Sequence, residues 1–581
     1  MFELPLFRFV IERGGNLSAR HAIRIARGLL ALSIFLSAMA PCASAHSAEA
    51  ARRGMVVAGE PLAADAGVEI MKAGGNAVDA AVAVGFALAV THPEAGNIGG
   101  GGFMLIRLAG GESVVVDYRE EAPGAASREM YLDSKGDIIL HASTIGGRAV
   151  AVPGTVAGLA LAHKKYGKMS WARVLQPAIR LAQRGFPVSF ALAESLREES
   201  DLLEKDLESR RIFLRDGKPY EPGELFVQPD LAATLTRISR SGPNAFYQGP
   251  VADAIVATIK THHGLIEAKD LKQYKAKLRK PLRGSFRGYE ILSVPPPSSG
   301  GIGLIEMLNI LEPLDLGHPN SFHSINLIAQ TMRRAYADRA AYLGDGDFVE
   351  VPLRGLTSRA YAASLREQVL QSKARDVVGA GKPTAAESEQ TTHFSVIDAE
   401  GNAVANTYTL NGAYGSGLTV KGAGFLLNNE MDDFTSKPDV ANMYGLVQSE
   451  ANAIAPLKRP LSAMTPTIVL HAGKVRLILG SPGGGTIINT VLQVLLNVLV
   501  YKMDVRQAVT SPRFHHQWMP DRLVLERWGF SADTIMKLEE AGYEIHTRDR
   551  MGACEAIEVD PATGWRFGGA DPRTDGKAAG Y

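Results

Sequence analysis

The sequence predicts a mixed α and β protein whose two halves share one core. Three observations lead there. Small and apolar residues recur at helical spacing through "PLAADAGVEIMKAGGNAVDAAVAVGFALAVTHP" (61–93), and residues 155–345 are mainly helical in pattern. After residue 390 the character switches to strands joined by tight turns, such as "THFSVID" returning through "AEGN" as "AVANTYTL". A polar stretch, "QSKARDVVGAGKPTAAESEQ" (371–390), separates the halves and fits an exposed loop or linker.

Each element follows from local chemistry. Gly74-Gly75 divides the first helical run into two helices. The glycine run "GNIGGGGFM" (96–104) leads into "FMLIRLAGGESVVVDYRE", two strands turning at Gly110-Gly111. "SVPPPSSGGIG" (293–303) punctuates the helical region. "KRPLSAMTPTIVL" and "KVRLILGSPGGGTI" supply later strands, and "TIINTVLQVLLNVLVY" (486–501) predicts a buried helix, because Asn489, Gln493 and Asn497 disfavour a membrane span. No internal repeat is evident.

Composition narrows the function. The 581 residues are 46% hydrophobic and 21% charged, ordinary for a globular protein. The net charge of +1 and the lack of a basic block with interleaved aromatics argue against nucleic-acid binding. Arg8, Arg13, Arg20, Arg24 and Arg27 precede the apolar run "GLLALSIFLSAMA" and the small-residue ending "PCASA" at 41–45. That pattern predicts a signal peptide cut after Ala45, since the run from Leu29 to Ala40 is shorter than the ~20 residues a span needs. Cys42 would leave with the leader, and Cys554 alone makes no disulfide. The expected location is periplasmic or secreted.

The common motifs are missing. There is no G-x-S-x-G elbow and no H-E-x-x-H, and "GAGKPT" (379–384) fails as a phosphate loop because Asp376 and Pro383 occupy required positions. The pairs His262-His263 and His515-His516 lack further ligands at metal spacing, so neither metal nor cofactor is expected. Thr391 and Thr392, at the start of the hairpin, admit two readings. Both are β-branched residues that suit a strand. Alternatively the chain is cut here, and a threonine becomes a nucleophile whose own α-amine, titrating near ~7.7–8.0 in peptides, serves as base. Spacing alone does not choose between the two threonines. "GSPGGG" (480–485) is either a plain turn or a set of N–H donors for a developing oxyanion.

"EQTTHFSVID", "LLNNEMDDF", "KRPLSAMTPTIV", "GSPGGG" and "SPRFHHQW" resemble the blocks of the γ-glutamyltransferase family of N-terminal-nucleophile enzymes. "GNIGGGGFM", "VDYREEAP", "VPGTVAG", "PPPSSGG" and "YADRAAYLGD" fit as well, in order, from about Met55 to "ADPRTDGKAAGY". The resemblance implies an αββα sandwich of two stacked, mainly antiparallel sheets between helical layers. It implies autocleavage between Gln390 and Thr391, giving a large subunit (46–390) and a small one (391–581) that stay associated. Thr391 would be the nucleophile, Thr409 its hydrogen-bonding partner, and Gly483 and Gly484 the oxyanion pair.

Further roles follow from the resemblance. Arg119 and Ser462 would bind the α-carboxylate of a γ-glutamyl group, and Asp433 its ammonium, with Asn411 and Glu430 as additional contacts. Tyr444 would gate a lid loop (436–453). The implied reaction moves a γ-glutamyl group from glutathione or related amides to water, an amino acid or a peptide, without a cofactor. One departure stands out: where the family has two consecutive serines, this chain has Ser462-Ala463, which removes one hydroxyl donor. The rival readings are a β-lactam side-chain acylase of the same fold and a non-catalytic binder of γ-glutamyl compounds.

Overall fold

A computed structural model describes residues 48–581 except 381–391, 439, 441, 444, 447 and 448. The expected signal peptide, Gln390, Thr391 and Tyr444 therefore lie outside the described residues. Two seven-stranded antiparallel sheets dominate. In chain order their strands are β1 (Glu49–Ala51), β2 (Met55–Ala58), β3 (Gly101–Arg107), β4 (Ser113–Asp117), β5 (Lys277–Arg279), β6 (Leu282–Phe286) and β7 (Tyr289–Ser293). They continue as β8 (Thr392–Ile397), β9 (Ala403–Thr409), β10 (Thr467–His471), β11 (Lys474–Leu479), β12 (Ala556–Val559), β13 (Arg566–Gly569) and β14 (Lys577–Gly580). One sheet runs β14-β2-β8-β9-β3-β4-β5 and the other β1-β13-β12-β11-β10-β7-β6.

Side-chain alternation along the strands builds the layers. In β3, Phe103 and Leu105 join Val57, Ile468, Ile478 and Ile557 between the two sheets. Met104 and Ile106 point the other way, into helices α1 (Pro61–Lys72), α2 (Ala77–Thr91), α3 (Trp171–Arg184) and α4 (Pro229–Ser241). On the far side, Val469, Leu477 and Leu479 meet α5 (Gly300–Leu311), α6 (Phe322–Tyr342), α7 (Arg359–Gln371) and α8 (Thr486–Leu499). The result is the αββα sandwich that the resemblance implies. Because both faces of each sheet are covered, strands such as β3 and β8 are buried almost end to end.

The helix pair at 61–93 forms as its pattern predicts. Asn76 caps α2 with a reciprocal capping box to Asp79, and Gly74 at φ +98° makes the break. The helix of "TIINTVLQVLLNVLVY" is buried along nearly all its length, with Gln493 donating to the Phe514 carbonyl at 2.8 Å. The region 155–345 is less uniformly helical than its pattern suggests, since it contributes β5, β6 and β7. The described part of the polar stretch is held rather than loose: Arg333 donates to the Asp376 carbonyl at 2.8 Å and the Trp518 indole to that of Val378 at 2.6 Å.

The predicted hairpin β8–β9 occupies the centre of its sheet. β8 pairs with β2 on one side and β9 with β3 on the other, so strands from both halves alternate in one hydrogen-bonded array. Residues 48–581 accordingly form one compact unit.

Candidate active site

Thr409 is the last residue of β9 and lies opposite Gly101. The glycine run before β3 has a packing reason here. A side-chain carbon on Gly100 would collide with the Thr409 carbonyl, and one on Gly101 with that of Tyr118. The same carbonyl of Thr409 accepts the Asn97 amide at 2.7 Å. The Thr409 hydroxyl oxygen accepts the Asn411 backbone N–H at 2.8 Å. Asn411 takes φ +74°, which bends the chain off the sheet, and its amide donates to the Asn429 carbonyl at 3.1 Å. This turn ties the end of β9 to the segment carrying Glu430 and Asp433.

That segment meets Arg119 in a fully buried cluster. Asn428 accepts the Glu430 N–H at 3.0 Å and donates to the Gly99 and Ala151 carbonyls, so one buried amide fixes the chain entering the acidic turn. Arg119 follows β4 and donates from its two terminal nitrogens to Glu430 and Asp433. It also donates to the carbonyls of Pro460 at 3.1 Å and Leu461 at 3.0 Å. Glu120 stands 3.6 Å away on the same guanidinium. One cation thus faces three carboxylates, and Glu430 lies within side-chain hydrogen-bond reach of both Glu120 and Asp433, so the acids also contact one another.

Burial decides the protonation of these acids. It raises Glu120 to about 7 against the opposing pull of Arg119, and raises Glu430 and Asp433 well above the carboxylate range. A cluster with surplus buried acid favours a cationic partner or retained protons. The sequence reading placed Arg119 and Asp433 on opposite charges of a ligand; here they also hold each other.

Ser462 adjoins this cluster through Leu461. Its N–H donates to the Pro297 carbonyl at 2.8 Å, and its hydroxyl oxygen accepts the Met464 N–H at 3.2 Å. Ala463 differs from the expectation of a gap in a polar pocket. Its methyl is buried in the apolar cluster that contains Leu304, Ile487 and Ile488.

The turn 480–485 links β11 to α8. Gly483 (φ +120°) and Gly484 (φ +57°) adopt backbone that disfavours any side chain, so the turn requires glycine. Their carbonyls accept the N–H groups of Thr486 at 3.1 Å and Ile487 at 2.7 Å, and the Gly485 carbonyl accepts the Tyr336 hydroxyl. Among the described residues neither the Gly483 nor the Gly484 N–H donates a backbone hydrogen bond. The turn also precedes a helix N-terminus, whose dipole favours negative charge.

Gly480 is pressed against the His393 ring, where a side chain would not fit. This contact sets the turn beside the start of β8, and Gly483 and Thr392 line a common cavity of about 390 Å³. Burial lowers His393 to about 3, so it is a neutral packing group bonded to Thr407 and Ser395. His515 and His516 are likewise buried and bonded to Gln517 and Asp521. Among the described residues no cluster of three or more metal-ligating side chains exists.

The structure therefore brings together Arg119, Glu430, Asp433 and the chain at Ser462, and ties Thr409 to Asn411. Gly483 lies beside the start of β8, in the cavity it shares with Thr392 and His393. Sequence reasoning missed Glu120 and the scaffold amides Asn428 and Asn429. The doubled acid in "DYREE" was the available signal for Glu120.

Residues 63–581 match the family model described as gamma-glutamyltranspeptidase. The chain is 48% identical over 537 residues to a glutathione hydrolase proenzyme of Escherichia coli K12, covering 91% of this chain and 92% of that protein. It is 38% identical over 533 residues to an acylase ACY 1 proenzyme of Pseudomonas sp. SE83, covering 90% and 93%. Among solved structures, a cephalosporin acylase from Bacillus halodurans superposes with a TM-score of 0.83 at 28% identity, covering 93% of this chain and 98% of that one.

Proposed function

Because this chain belongs to the γ-glutamyltranspeptidase family, we propose that it takes a γ-glutamyl group from glutathione or a related amide and passes it to water, an amino acid or a peptide. The observation that carries this reading is the Arg119 cluster. A γ-glutamyl group presents both an α-ammonium and an α-carboxylate. Surplus acid at Asp433, Glu430 and Glu120 suits the first, and Arg119 with Ser462 suits the second.

In this reading the precursor cuts itself between Gln390 and Thr391 and yields subunits 46–390 and 391–581. The freed α-amine of Thr391 takes the proton of its own hydroxyl as the oxygen attacks the γ-carbonyl. Gly483 and Gly484 N–H groups stabilise the oxyanion, Thr409 orients the nucleophile, and Asn411 contacts the γ-glutamyl group. Collapse expels the amine and leaves a threonyl ester, which water or an acceptor amine then cleaves. Tyr444 closes the pocket. The reading includes export to the periplasm or beyond; no described helix is long and apolar enough to cross a membrane.

Thr391→Ala should leave a single uncut chain without activity, whereas Thr392→Ala should still mature. Denaturing gels of the purified proteins decide this, and two bands from Thr391→Ala would exclude Thr391 as the nucleophile. The likeness to a cephalosporin acylase favours one second reading, a side-chain acylase. An acyl group without an ammonium has no use for Asp433, so comparing a γ-glutamyl with a glutaryl anilide separates the two.

A further inference from the structure

Two segments of the site stand on different parts of the chain, and one helix reaches both. The turn 480–485 follows β11, and the Ser462 segment precedes β10. In the reading above, the first receives the γ-carbonyl of the donor and the second its α-carboxylate. A γ-glutamyl group separates those two points by a fixed run of three carbons. The gap between the segments therefore decides which acyl group fits both. Neither segment lies in a strand or helix, so other groups must hold each in place.

Tyr336 and Arg339, neighbours one turn apart on α6, supply the holding groups. The Tyr336 hydroxyl donates to the Gly485 carbonyl, where the glycine turn enters α8. Its ring meets that of His515 edge-on at 5.7 Å between centroids, and Asn489 of α8 bonds His515 Nδ1 at 2.8 Å. On the other arm, Arg339 Nε donates to the Ser299 hydroxyl at 3.2 Å, and that hydroxyl donates to the Ser462 carbonyl at 2.7 Å. The same carbonyl accepts the Ser299 N–H at 2.8 Å and the Ser298 hydroxyl at 3.2 Å. The Arg339 guanidinium lies over the Tyr336 ring, 5.8 Å from its centroid, which joins the two arms. Tyr336, Arg339, Ser298 and Ser299 are all buried. A guanidinium and hydroxyls cost more to bury than apolar groups of like size, so packing alone does not call for them.

We propose that Tyr336 and Arg339 are positioning residues that set the gap between the oxyanion turn and the Ser462 segment, and with it the length of acyl group the enzyme accepts. This rests on the γ-glutamyl-transfer reading and adds to it a determinant of donor specificity. Both residues act through other groups. Tyr336 acts on the reacting carbonyl through Gly485, and Arg339 acts on the α-carboxylate through Ser299 and Ser462. The blocks "PPPSSGG" and "YADRAAYLGD" thereby gain a part in the reaction.

The test compares β-aspartyl-, γ-glutamyl- and δ-aminoadipyl-p-nitroanilide, whose acyl groups lengthen by one methylene at each step. It uses the matured enzyme and its Tyr336→Phe, Ser299→Ala, Arg339→Gln and Arg339→Lys variants. Tyr336→Phe should lower kcat for the γ-glutamyl donor about tenfold and leave KM within about twofold, because a misplaced oxyanion turn costs most in the transition state. Ser299→Ala should raise KM about fivefold with kcat little changed, because it loosens a contact made equally in the ground state. Both should reduce the preference for γ-glutamyl over the shorter and longer donors about fivefold, since a loosened gap penalises the matched donor most. Arg339→Lys keeps a cation and a donor and should retain more of that preference than Arg339→Gln. Losses that fall equally on all three donors, or unchanged kinetics, would overturn the proposal. If the wild type releases no p-nitroaniline from any donor, the transfer reading fails instead. Hydrogen exchange then still decides the tie: faster exchange at 480–487 in Tyr336→Phe and at 460–465 in Ser299→Ala supports it, and unchanged exchange rejects it.

Discussion

The clusters around Arg119 and around Arg513 are both buried and both join distant segments, yet their charge balance is opposite. In the second, Arg513 and Arg573 face Asp571 and Glu526, two cations against two anions. Every carboxylate oxygen there accepts a hydrogen bond: Glu526 from Met551, Arg513 and Arg573, and Asp571 from Arg513, Arg573 and Cys554. In the first, one cation serves three acids, which otherwise have mainly one another as partners. A network in which each acid is held by both arginines ties a fold together, even with Arg513 Nε unpaired among the described residues and Glu555 nearby. An unbalanced one keeps capacity for something else.

Removing an anion should therefore have different consequences in the two places. Asp571→Ala strips both arginines of a partner and should cost about 3–5 kcal/mol of stability, read from denaturant or thermal unfolding. A loss below about 1 kcal/mol there would break the contrast.

The acid-rich cluster should instead reveal itself through pH. A carboxyl whose folded pKa is raised contributes stability that is complete below its unfolded pKa and is lost as pH rises through the folded one. For Glu120 the window runs from 4.5 to about 7 and corresponds to about 3 kcal/mol. Glu120→Gln should thus lose less Tm between pH 5 and pH 7.5 than the wild type. A parallel decline in both proteins would show that Glu120 does not titrate in this window.

Asp433→Asn sharpens the comparison from the side of activity. Asn keeps an oxygen that can accept from the Arg119 guanidinium, so stability should fall less than for Asp571→Ala. Loss of a charged hydrogen bond to a ligand ammonium should lower kcat/KM for a γ-glutamyl anilide about ten- to hundredfold. A glutaryl anilide should be much less affected; equal losses would make Asp433 structural.

The smallest effect concerns Ala463, where a hydroxyl would enter an apolar cluster instead of the carboxylate pocket. Ala463→Ser should cost about 1–3 kcal/mol and leave KM unchanged. A lowered KM would mean that the added hydroxyl reaches the pocket after all.

The hairpin β8–β9 was legible because alternation and the turn "AEGN" are local signals. β6 and β7 were not, since "LRGSF" and "YEILS" carry weak alternation and β7 is completed by β10, far along the chain. The site divides the same way. Thr391 and Thr392 drew attention through their place before a strand, whereas Arg119 and Glu430, 311 residues apart, came together only through family resemblance. Glu120 escaped because nothing in a run of two acids says which one is buried. The apolar neighbours of Ala463 could not be read because a residue outside a strand has no periodicity to show its face.

The last residue of the chain lies beside the segment between β1 and β2. The Arg53 N–H donates to the Tyr581 carbonyl at 2.8 Å, and the Tyr581 N–H to the Gly54 carbonyl at 3.2 Å. A Gly/Ser bridge long enough to run back along β1 could therefore join residue 581 to residue 48 without disturbing β14 or β2. Opening the joined chain between 390 and 391 would give a circular permutant that begins, once its initiator methionine is removed, with the threonine first. Such a chain would need no self-cleavage to expose its α-amine, so the requirements for cutting and for turnover, which the proposed function puts on one hydroxyl, could be mutated and measured apart.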